Sequence, residues 1–324
     1  MSERSQAAEE RFRAAVRQLN TGSYADSVAL GSLLASVQGD AAYELAAREE
    51  LAPRAGELDL HLNGESIVNH TANAAAFGVF VKRIADGVKV IARDALGLRS
   101  MHSDLMVEPG PGSVRVLFKT PDPVLPGSLD HDDTAGVWSD PNRQSMALLR
   151  VSQMLALADP DSEGESTMDA LVSSIPAAAR VPLLEAVTSV TQQDWSLTGE
   201  FRQRGLGIQP IALSSGGARR LRSALGVRER ETRPLTLTGR FDGHRRARSV
   251  CWFIDEVTGR TITAVVPTPD LMHAVAELSR DDNQRVRAIF SVTTSIGAGG
   301  RETGRKSYLL EDVTELSPSS TPLI

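Results

Sequence analysis

The chain has 324 residues, a formal net charge of −6 and one cysteine, Cys251. A chain of this length buries a sizeable core without disulfides or metals, and one cysteine excludes an intrachain disulfide and a multi-cysteine zinc site. The charged N-terminus and the lack of a long apolar run predict a cytoplasmic protein without a signal peptide or a membrane segment.

Basic residues are unevenly distributed along the chain. Only four of the 35 basic residues are lysines, a bias typical of a high-GC bacterial genome, so the number of arginines says little by itself. Residues 216–248, however, carry ten basic and three acidic residues, whereas residues 1–215 carry 18 basic and 28 acidic ones. This asymmetry predicts one basic surface that binds a partner.

The first part of the chain, residues 1–120, is predicted to be an α+β domain. Apolar spacing predicts a helix over 3–19, a helical region over 24–51 with a break near Gly39, and a long central helix over 66–96. Alternation predicts a strand at 57–62. Further strands at 104–108 and 113–119, joined by a Pro-Gly-Pro-Gly turn, are expected to form a hairpin beside it.

The middle part, residues 121–226, is predicted to be an acidic loop followed by a helical region. Residues 120–142 contain four prolines, five aspartates and no lysine or arginine, which favours a long loop. Helices are expected at 142–158, 166–174, 176–192 and 215–225. Only a short extended piece is expected between Trp195 and the last of these helices, and residues 227–233 are interpreted as a linker.

The last part, residues 227–324, has the clearest pattern. Strands are predicted at 235–241, 249–255 and 260–266, then a helix at 269–278, then strands at 285–294 and 307–313. This β-β-β-α-β-β order resembles that of the OB-fold, in which oligonucleotides bind to strands two and three and to the loops between strands one and two and strands four and five. We therefore expect a small OB-like barrel, with an SH3-like barrel or another β-rich domain as alternatives.

Both loops that such a barrel would use for binding are basic. Arginine and lysine bind backbone phosphate, so the predicted nucleic-acid-binding residues are Arg240, His244, Arg245, Arg246, Arg248, Arg301, Arg305 and Lys306. Five nearby aromatic residues could stack on bases: Phe241, Trp252, Phe253, Phe290 and Tyr308. The simpler alternative is that these aromatic side chains fill the barrel core and that the arginines keep a hairpin tip soluble.

No catalytic residue, cofactor or bound metal is predicted. The glycine-rich stretch near the C-terminus departs from a phosphate-binding loop, because Arg305 precedes Lys306-Ser307 and no helix follows. The cluster of Asp130, His131, Asp132 and Asp133 offers ligands for a divalent metal, but a solvated acidic loop is the simpler interpretation. His70 is interpreted as a helix-terminal histidine instead of a catalytic base.

These observations lead to one expected function and two alternatives. We expect a non-catalytic component of a cytoplasmic multi-protein assembly that contacts the backbone of DNA or RNA through the basic loops of the C-terminal barrel. The first alternative is a protein–protein scaffold or adaptor that binds no nucleic acid, in which the barrel docks a partner chain and the helical segments mediate oligomerisation. The second alternative is a metal-dependent hydrolase that uses residues 130–133.

Overall fold

A computed structural model describes most of the chain, namely residues 3–67, 71–95, 97, 105–109, 114–121, 143–159, 165–226, 230–281, 284–295 and 306–316. These residues form a mixed α+β protein with two five-stranded sheets, which confirms the predicted α+β class. None of the helices in the described ranges combines the length and the hydropathy that a membrane-spanning segment requires.

Three helices lie at the N-terminus: α1 (Glu3–Leu19), α2 (Tyr24–Ser36) and α3 (Ala41–Glu50). The predicted break near Gly39 is confirmed; Gly39 has a φ of +92°, and the side chain of Asp40 then caps α3 by accepting a hydrogen bond from the backbone of Ala42. The three helices share a small apolar cluster centred on Phe12 and Val16, separate from the main core.

The first sheet contains five antiparallel strands in the order β2-β3-β1-β4-β5. They are β1 (Glu57–Asn63), β2 (Met106–Pro109), β3 (Val114–Lys119), β4 (Ser196–Gln203) and β5 (Gly207–Leu213). The prediction that residues 121–226 contain only helices after the acidic loop is therefore wrong in part. β4 and β5 form a hairpin in this range, and β4 pairs with β1, on the other side of the predicted boundary at residue 120. Gly199 interrupts the apolar alternation of Leu197 and Phe201 in β4, which hid the strand.

Five helices share the main core with this sheet, and the second of them packs directly on the strands β1, β4 and β5: α4 (Ala74–Ala95), α5 (Arg143–Leu157), α6 (Glu165–Ser174), α7 (Ala177–Gln192) and α8 (Ser215–Gly226). The predicted start of α4 at residue 66 is wrong. The side chain of Asn73 caps the helix by accepting from the Ala76 backbone, while the hydroxyl of Ser66 donates to the Gln193 carbonyl and accepts from the Trp195 indole.

The other face of the first sheet carries a network of charged residues. Asp59 lies between Arg115 on β3 and Arg202 on β4, and Arg115 binds its carboxylate with two hydrogen bonds. Burial of Asp59 acts to raise the pKa of its carboxyl, but the hydrogen bonds and charge of Arg115, with smaller contributions from His61 and Arg202, outweigh it. The pKa of Asp59 is therefore lowered in the folded protein.

The lowered pKa makes the contribution of Asp59 to stability dependent on pH. The ionised carboxylate stabilises the folded state above its unfolded pKa of about 3.9, and this contribution is lost as the pH falls through the folded pKa. We expect Asp59→Asn to lower the free energy of urea unfolding at about pH 7 and the difference from wild type to shrink below about pH 4. Asp86→Asn, at a more exposed ion pair on α4, is the control and should change little. A difference for Asp59→Asn that stays constant with pH would contradict this assignment.

The second sheet is a closed ring of five strands, hereafter the ring, in the order β10-β8-β7-β6-β9. Its elements are β6 (Arg230–Arg245), β7 (Val250–Asp255), β8 (Thr261–Val265), the helix α9 (Pro269–Leu278), β9 (Val286–Ser295) and β10 (Ser307–Glu315). The predicted element order is confirmed, and α9 has the predicted bounds because Thr268 caps it and Pro269 begins it.

The ring has a core of its own and also joins the main core. Residues that point into the ring, such as Cys251, Phe253 and Ala264, form a separate apolar cluster. Their neighbours Val250, Val265 and Leu309, which point outward, belong to the main core instead, and α6 packs there against β8, β9 and β10. One end of the ring is thus buried against the rest of the chain.

Candidate nucleic-acid interface

The predicted loop between the first two strands of the ring, residues 242–248, is a short tip and not an extended arm. β6 continues to Arg245, a single turn of 3₁₀ helix follows over Arg246–Arg248, and Ser249 adopts a left-handed conformation with φ of +52° before β7 begins. The tip contacts β5 and α5, which precede the ring in the chain. Its position is therefore determined by the rest of the chain.

Two of the predicted binding arginines make contacts within the chain. The guanidinium of Arg246 lies 3.2 Å from a carboxylate oxygen of Glu49, a buried residue on α3 that is also paired with Arg13. Arg248 donates a hydrogen bond of 3.2 Å to the carbonyl oxygen of Asp159, just after α5. These arginines connect the ring to α3 and to the end of α5, and their role in nucleic-acid binding stays a prediction.

A buried polar contact supports the same connection. The amide of Gln153 on α5 donates to the hydroxyl of Ser249, and that hydroxyl donates to the side-chain oxygen of Gln209 on β5, at 3.1 and 3.2 Å. All three residues are buried. Buried polar groups are stable only when they are hydrogen-bonded, so this chain of contacts favours one orientation of the tip.

His244 is not a reliable positive charge at neutral pH. Its ring nitrogen Nδ1 lies 3.3 Å from the hydroxyl of Ser279, at the end of α9, and the side chain is half-buried. Burial, followed by the nearby charge of Arg246, lowers the pKa of His244 below its ordinary value. The imidazole is therefore mostly neutral at neutral pH.

Four of the five aromatic side chains considered for base stacking pack against one another in the ring. Phe253 makes edge-to-face contacts with Phe241 and Phe290, with centroid separations of 5.5 and 5.3 Å, and Phe290 makes another with Tyr308 at 6.2 Å. The three phenylalanines are fully buried. For these side chains the core interpretation is confirmed. Cys251 lies in the same cluster, and burial raises the pKa of its thiol to about 12.

Trp252 differs from the other aromatic residues, because the alternation of β7 places it on the outside of the ring. It is half-buried, lies opposite Thr263 on β8, and its indole packs over the backbone of Gly243. Two residues further along β7, Ile254 lies opposite Arg240 on β6 and Thr261 on β8. An aromatic and an aliphatic side chain are thus presented together on the outer face of strands two and three.

Exposed arginines flank this outer face. Arg240 lies directly opposite Ile254, and Arg287 on β9 lies opposite Thr238, so the two arginines are diagonal neighbours on the same face of the sheet. Asp242 contributes one exposed carboxylate at the bulge in β6. We call the following residues the ring face: Arg240, Trp252, Ile254, Thr261, Thr263 and Arg287. Arg287 was not predicted from the sequence. Its position between Val286 and Ala288, whose side chains point into the ring, indicates that the Arg287 side chain points outward.

The second predicted loop is described only at its end. Arg301 and Arg305 lie outside the described residues, whereas Lys306 is exposed immediately before β10. A continuous row of paired residues links Tyr308 to Ala264, Cys251 and finally His244, so the start of β10 lies about 14 Å along the sheet from the tip. Lys306 and the tip therefore lie at the same end of the ring, the end that packs against the main core.

A second cationic surface lies outside the predicted site. Arg219 and Arg222, on adjacent turns of α8, are exposed and line a groove of about 550 Å³ together with Leu184 and Thr188 of α7. Their signal in the sequence was the basic excess of residues 216–248. The metal-ligand cluster at residues 130–133 and His70 lie outside the described residues, and the described ranges contain no group of three or more potential metal ligands.

The comparisons with known proteins assign this chain to no family. No protein-family model, curated protein or solved structure was found to match it.

Proposed function

We propose that the ring is an OB-like barrel and that the chain is a non-catalytic component of a cytoplasmic assembly that contacts single-stranded nucleic acid through the ring face. The strand pairing supports the OB-like topology. The three strands before α9 pair in succession, the fifth strand lies parallel to the third, and the fourth closes the ring against the first. In OB-folds, oligonucleotides bind across strands two and three.

One observation carries the proposal: Trp252 lies on the outer face of strand two beside Ile254, with Arg240 and Arg287 next to them. Proteins that bind single strands combine aromatic side chains, on which bases stack, with cations that contact the backbone phosphates. The ring face offers both kinds of contact within a few residues. The predicted cations Arg245 and Lys306 are also exposed, at the end of the ring nearer the main core.

The proposal is tested by fluorescence anisotropy with labelled oligo(dT) and oligo(rU) of about 16 nucleotides, a length that covers one OB-type site. We expect Trp252→Ala to weaken binding by about 1–3 kcal/mol, which is roughly 5–150-fold, with the salt dependence unchanged. Trp252→Phe keeps an aromatic face and should retain most of the affinity. Comparison of the two oligonucleotides decides between DNA and RNA.

Salt dependence separates the contribution of the arginines from that of the indole. Arg240→Gln and Arg287→Gln should each reduce the slope of log affinity against log salt by about 1, whereas Arg11→Gln, at an exposed position on α1, should not change it. Equal affinities of wild type and Trp252→Ala would contradict the proposal. A wild-type protein that binds neither oligonucleotide but co-purifies with a stoichiometric protein would favour the adaptor alternative.

A further inference from the structure

Three arginines from separate segments of the chain lie close together beside the turn between β4 and β5. Arg17 is in the last turn of α1, Arg54 lies between α3 and β1, and Arg204 directly follows β4. The backbone N–H of Arg204 donates to the carbonyl of Pro53 at 2.8 Å, which holds Arg204 next to Arg54. We call Arg17, Arg54 and Arg204 the arginine site.

The guanidinium of Arg204 has no acceptor among the residues that the structure describes. Its Nε atom is buried and has no hydrogen-bond partner, and no described carboxylate pairs with its terminal nitrogens. The side chain is half-buried, and its terminal nitrogens are open to solvent. A buried donor without a protein acceptor requires an explanation, and a bound ion is one that fits a charged donor.

The charges around Arg204 are mostly of its own sign. Burial lowers the pKa of Arg204, and the charges of Arg54 and Arg17 lower it further, whereas the charge of Glu50 raises it. The guanidinium nevertheless keeps its proton at neutral pH, because an arginine side chain does not lose it in proteins. Repulsion between these guanidinium groups costs stability, and a bound anion would remove that cost.

The neighbouring glutamates do not balance these positive charges. Glu50 lies 3.6 Å from Arg17 and 3.7 Å from Arg13, which is too far for a hydrogen bond to either. Even without Arg54, the ion pairs of this region connect four arginines to only three glutamates. The arginines are Arg13, Arg17, Arg204 and Arg246, and the glutamates are Glu9, Glu49 and Glu50.

A phosphate group suits the arginine site better than a carboxylate does. A phosphomonoester carries about −1.5 to −2 charges at neutral pH and has three strong acceptor oxygens, so several guanidinium groups can bind it at once. A carboxylate has one charge and two oxygens, which a single arginine can satisfy. The planar guanidinium also matches the geometry of phosphate, with two parallel hydrogen bonds.

We propose that Arg17, Arg54 and Arg204 bind a phosphate group, with Arg204 as the central ligand. The site is formed by the end of α1, the connection before β1 and the turn after β4, so it is separate from the ring face and does not depend on base stacking at Trp252. Inorganic phosphate and the backbone of a nucleic acid offer the same chemistry, and the experiment distinguishes them.

The test is thermal unfolding of the full chain in phosphate and in chloride of equal ionic strength. About 10 mM phosphate should raise the Tm of the wild type by about 2 °C or more, because an anion that binds only the folded state stabilises it. Arg204→Gln should lose most of this rise, and without phosphate it should be no less stable than wild type, since it removes a repelled charge. Arg260→Gln, at an exposed arginine between β7 and β8, is the matched control and should keep the full rise.

Calorimetric titration with inorganic phosphate measures the affinity directly. Arg204→Gln should weaken binding by about tenfold or more, the effect of losing a charged hydrogen bond. Arg204→Lys keeps the charge without the planar fork and should bind with intermediate affinity. If Arg204→Gln does not fold, Arg17→Gln replaces it, because the Arg17 side chain is 59% exposed and contributes little to packing.

Oligo(dT) identifies the source of the phosphate group. If oligo(dT) displaces inorganic phosphate from the wild type, the site binds a nucleic-acid backbone, and if it does not, the site binds a small phosphate compound. Trp252→Ala should leave the phosphate response unchanged, so failure of the ring-face proposal can be told apart from failure of this one. A wild type that phosphate stabilises no more than chloride does, or a folded Arg204→Gln that binds phosphate as well as wild type, would overturn the proposal.

Discussion

Phe253→Ala is expected to lower the free energy of unfolding by about 3–5 kcal/mol, the range typical of large-to-small substitutions of buried aromatic residues. Phe253 is fully buried at the centre of the ring and makes edge-to-face contacts with Phe241 and Phe290. Its removal leaves a cavity bounded by strands on all sides. The strands of a closed ring cannot move far enough inward to fill such a cavity. The loss of stability should therefore lie within this range and not below it.

Urea unfolding followed by circular dichroism measures this effect, and Cys251 reports on the ring itself. The thiol is buried in the same cluster and its pKa is raised to about 12, so it should react with thiol reagents only when the ring opens. Phe253→Ala should therefore accelerate labelling of Cys251. The control Phe253→Leu keeps most of the volume and should cost less than about 2 kcal/mol. A loss below about 1 kcal/mol for the alanine variant would contradict the described ring core.

Gly199→Ala is expected to destabilise the first sheet by about 3 kcal/mol or more. Gly199 has a φ of +153°, and a Cβ atom at this position would lie 1.9 Å from the carbonyl oxygen of Asp59 on β1. The clash is with backbone, so no change of side-chain rotamer can relieve it. β1 and β4 would have to separate at the point where β4 joins the central strand of the sheet.

Gly78→Ala is the matched control for Gly199→Ala. Gly78 lies within α4, and a Cβ atom there would meet no atom within 4 Å. Alanine has the higher helix propensity, so this variant should be more stable than wild type by about 0.5–1 kcal/mol. Thermal unfolding of both variants measures these two changes in stability. Similar changes in stability for the two substitutions would contradict the close approach of β4 to β1 at Gly199.

The contacts of the tip change how the nucleic-acid proposal should be tested. Substitution of Arg246 removes its ion pair with Glu49 as well as a cation, so a loss of binding would have two causes. The same applies to Arg248, which donates to the Asp159 carbonyl. Trp252 and Arg287 lie on the outer face of the ring and make neither of these contacts, so their substitution tests binding more directly.

Elements specified by neighbouring residues were predicted well from the sequence. Capping residues and proline mark α9, and strand alternation with turn residues indicates the strands of the ring. Elements whose signal is weak locally were missed or misplaced. The β4–β5 hairpin contains Gly199, and the start of α4 depends on Asn73 and on contacts of Ser66 with residues far along the chain.

The candidate site was less predictable than the fold. Both alternating sets of β7 are apolar, so the pattern alone cannot decide whether Trp252 or Phe253 points inward. Closure of the ring decides it, because only one set can fill the interior. The contacts of Arg246 were beyond sequence reasoning for a related reason, since Glu49 lies almost two hundred positions earlier in the chain.

The sequence by itself determined the α+β class, the order of elements in the ring and the basic character of residues 216–248. These features follow from local propensity, periodicity and composition, which act between residues close in the chain. Only the tertiary structure decided that the tip contacts α3 and α5, that Trp252 lies outside the ring, and that β4 and β5 pair with β1. These outcomes depend on pairing and burial between distant segments, which no short stretch of sequence specifies.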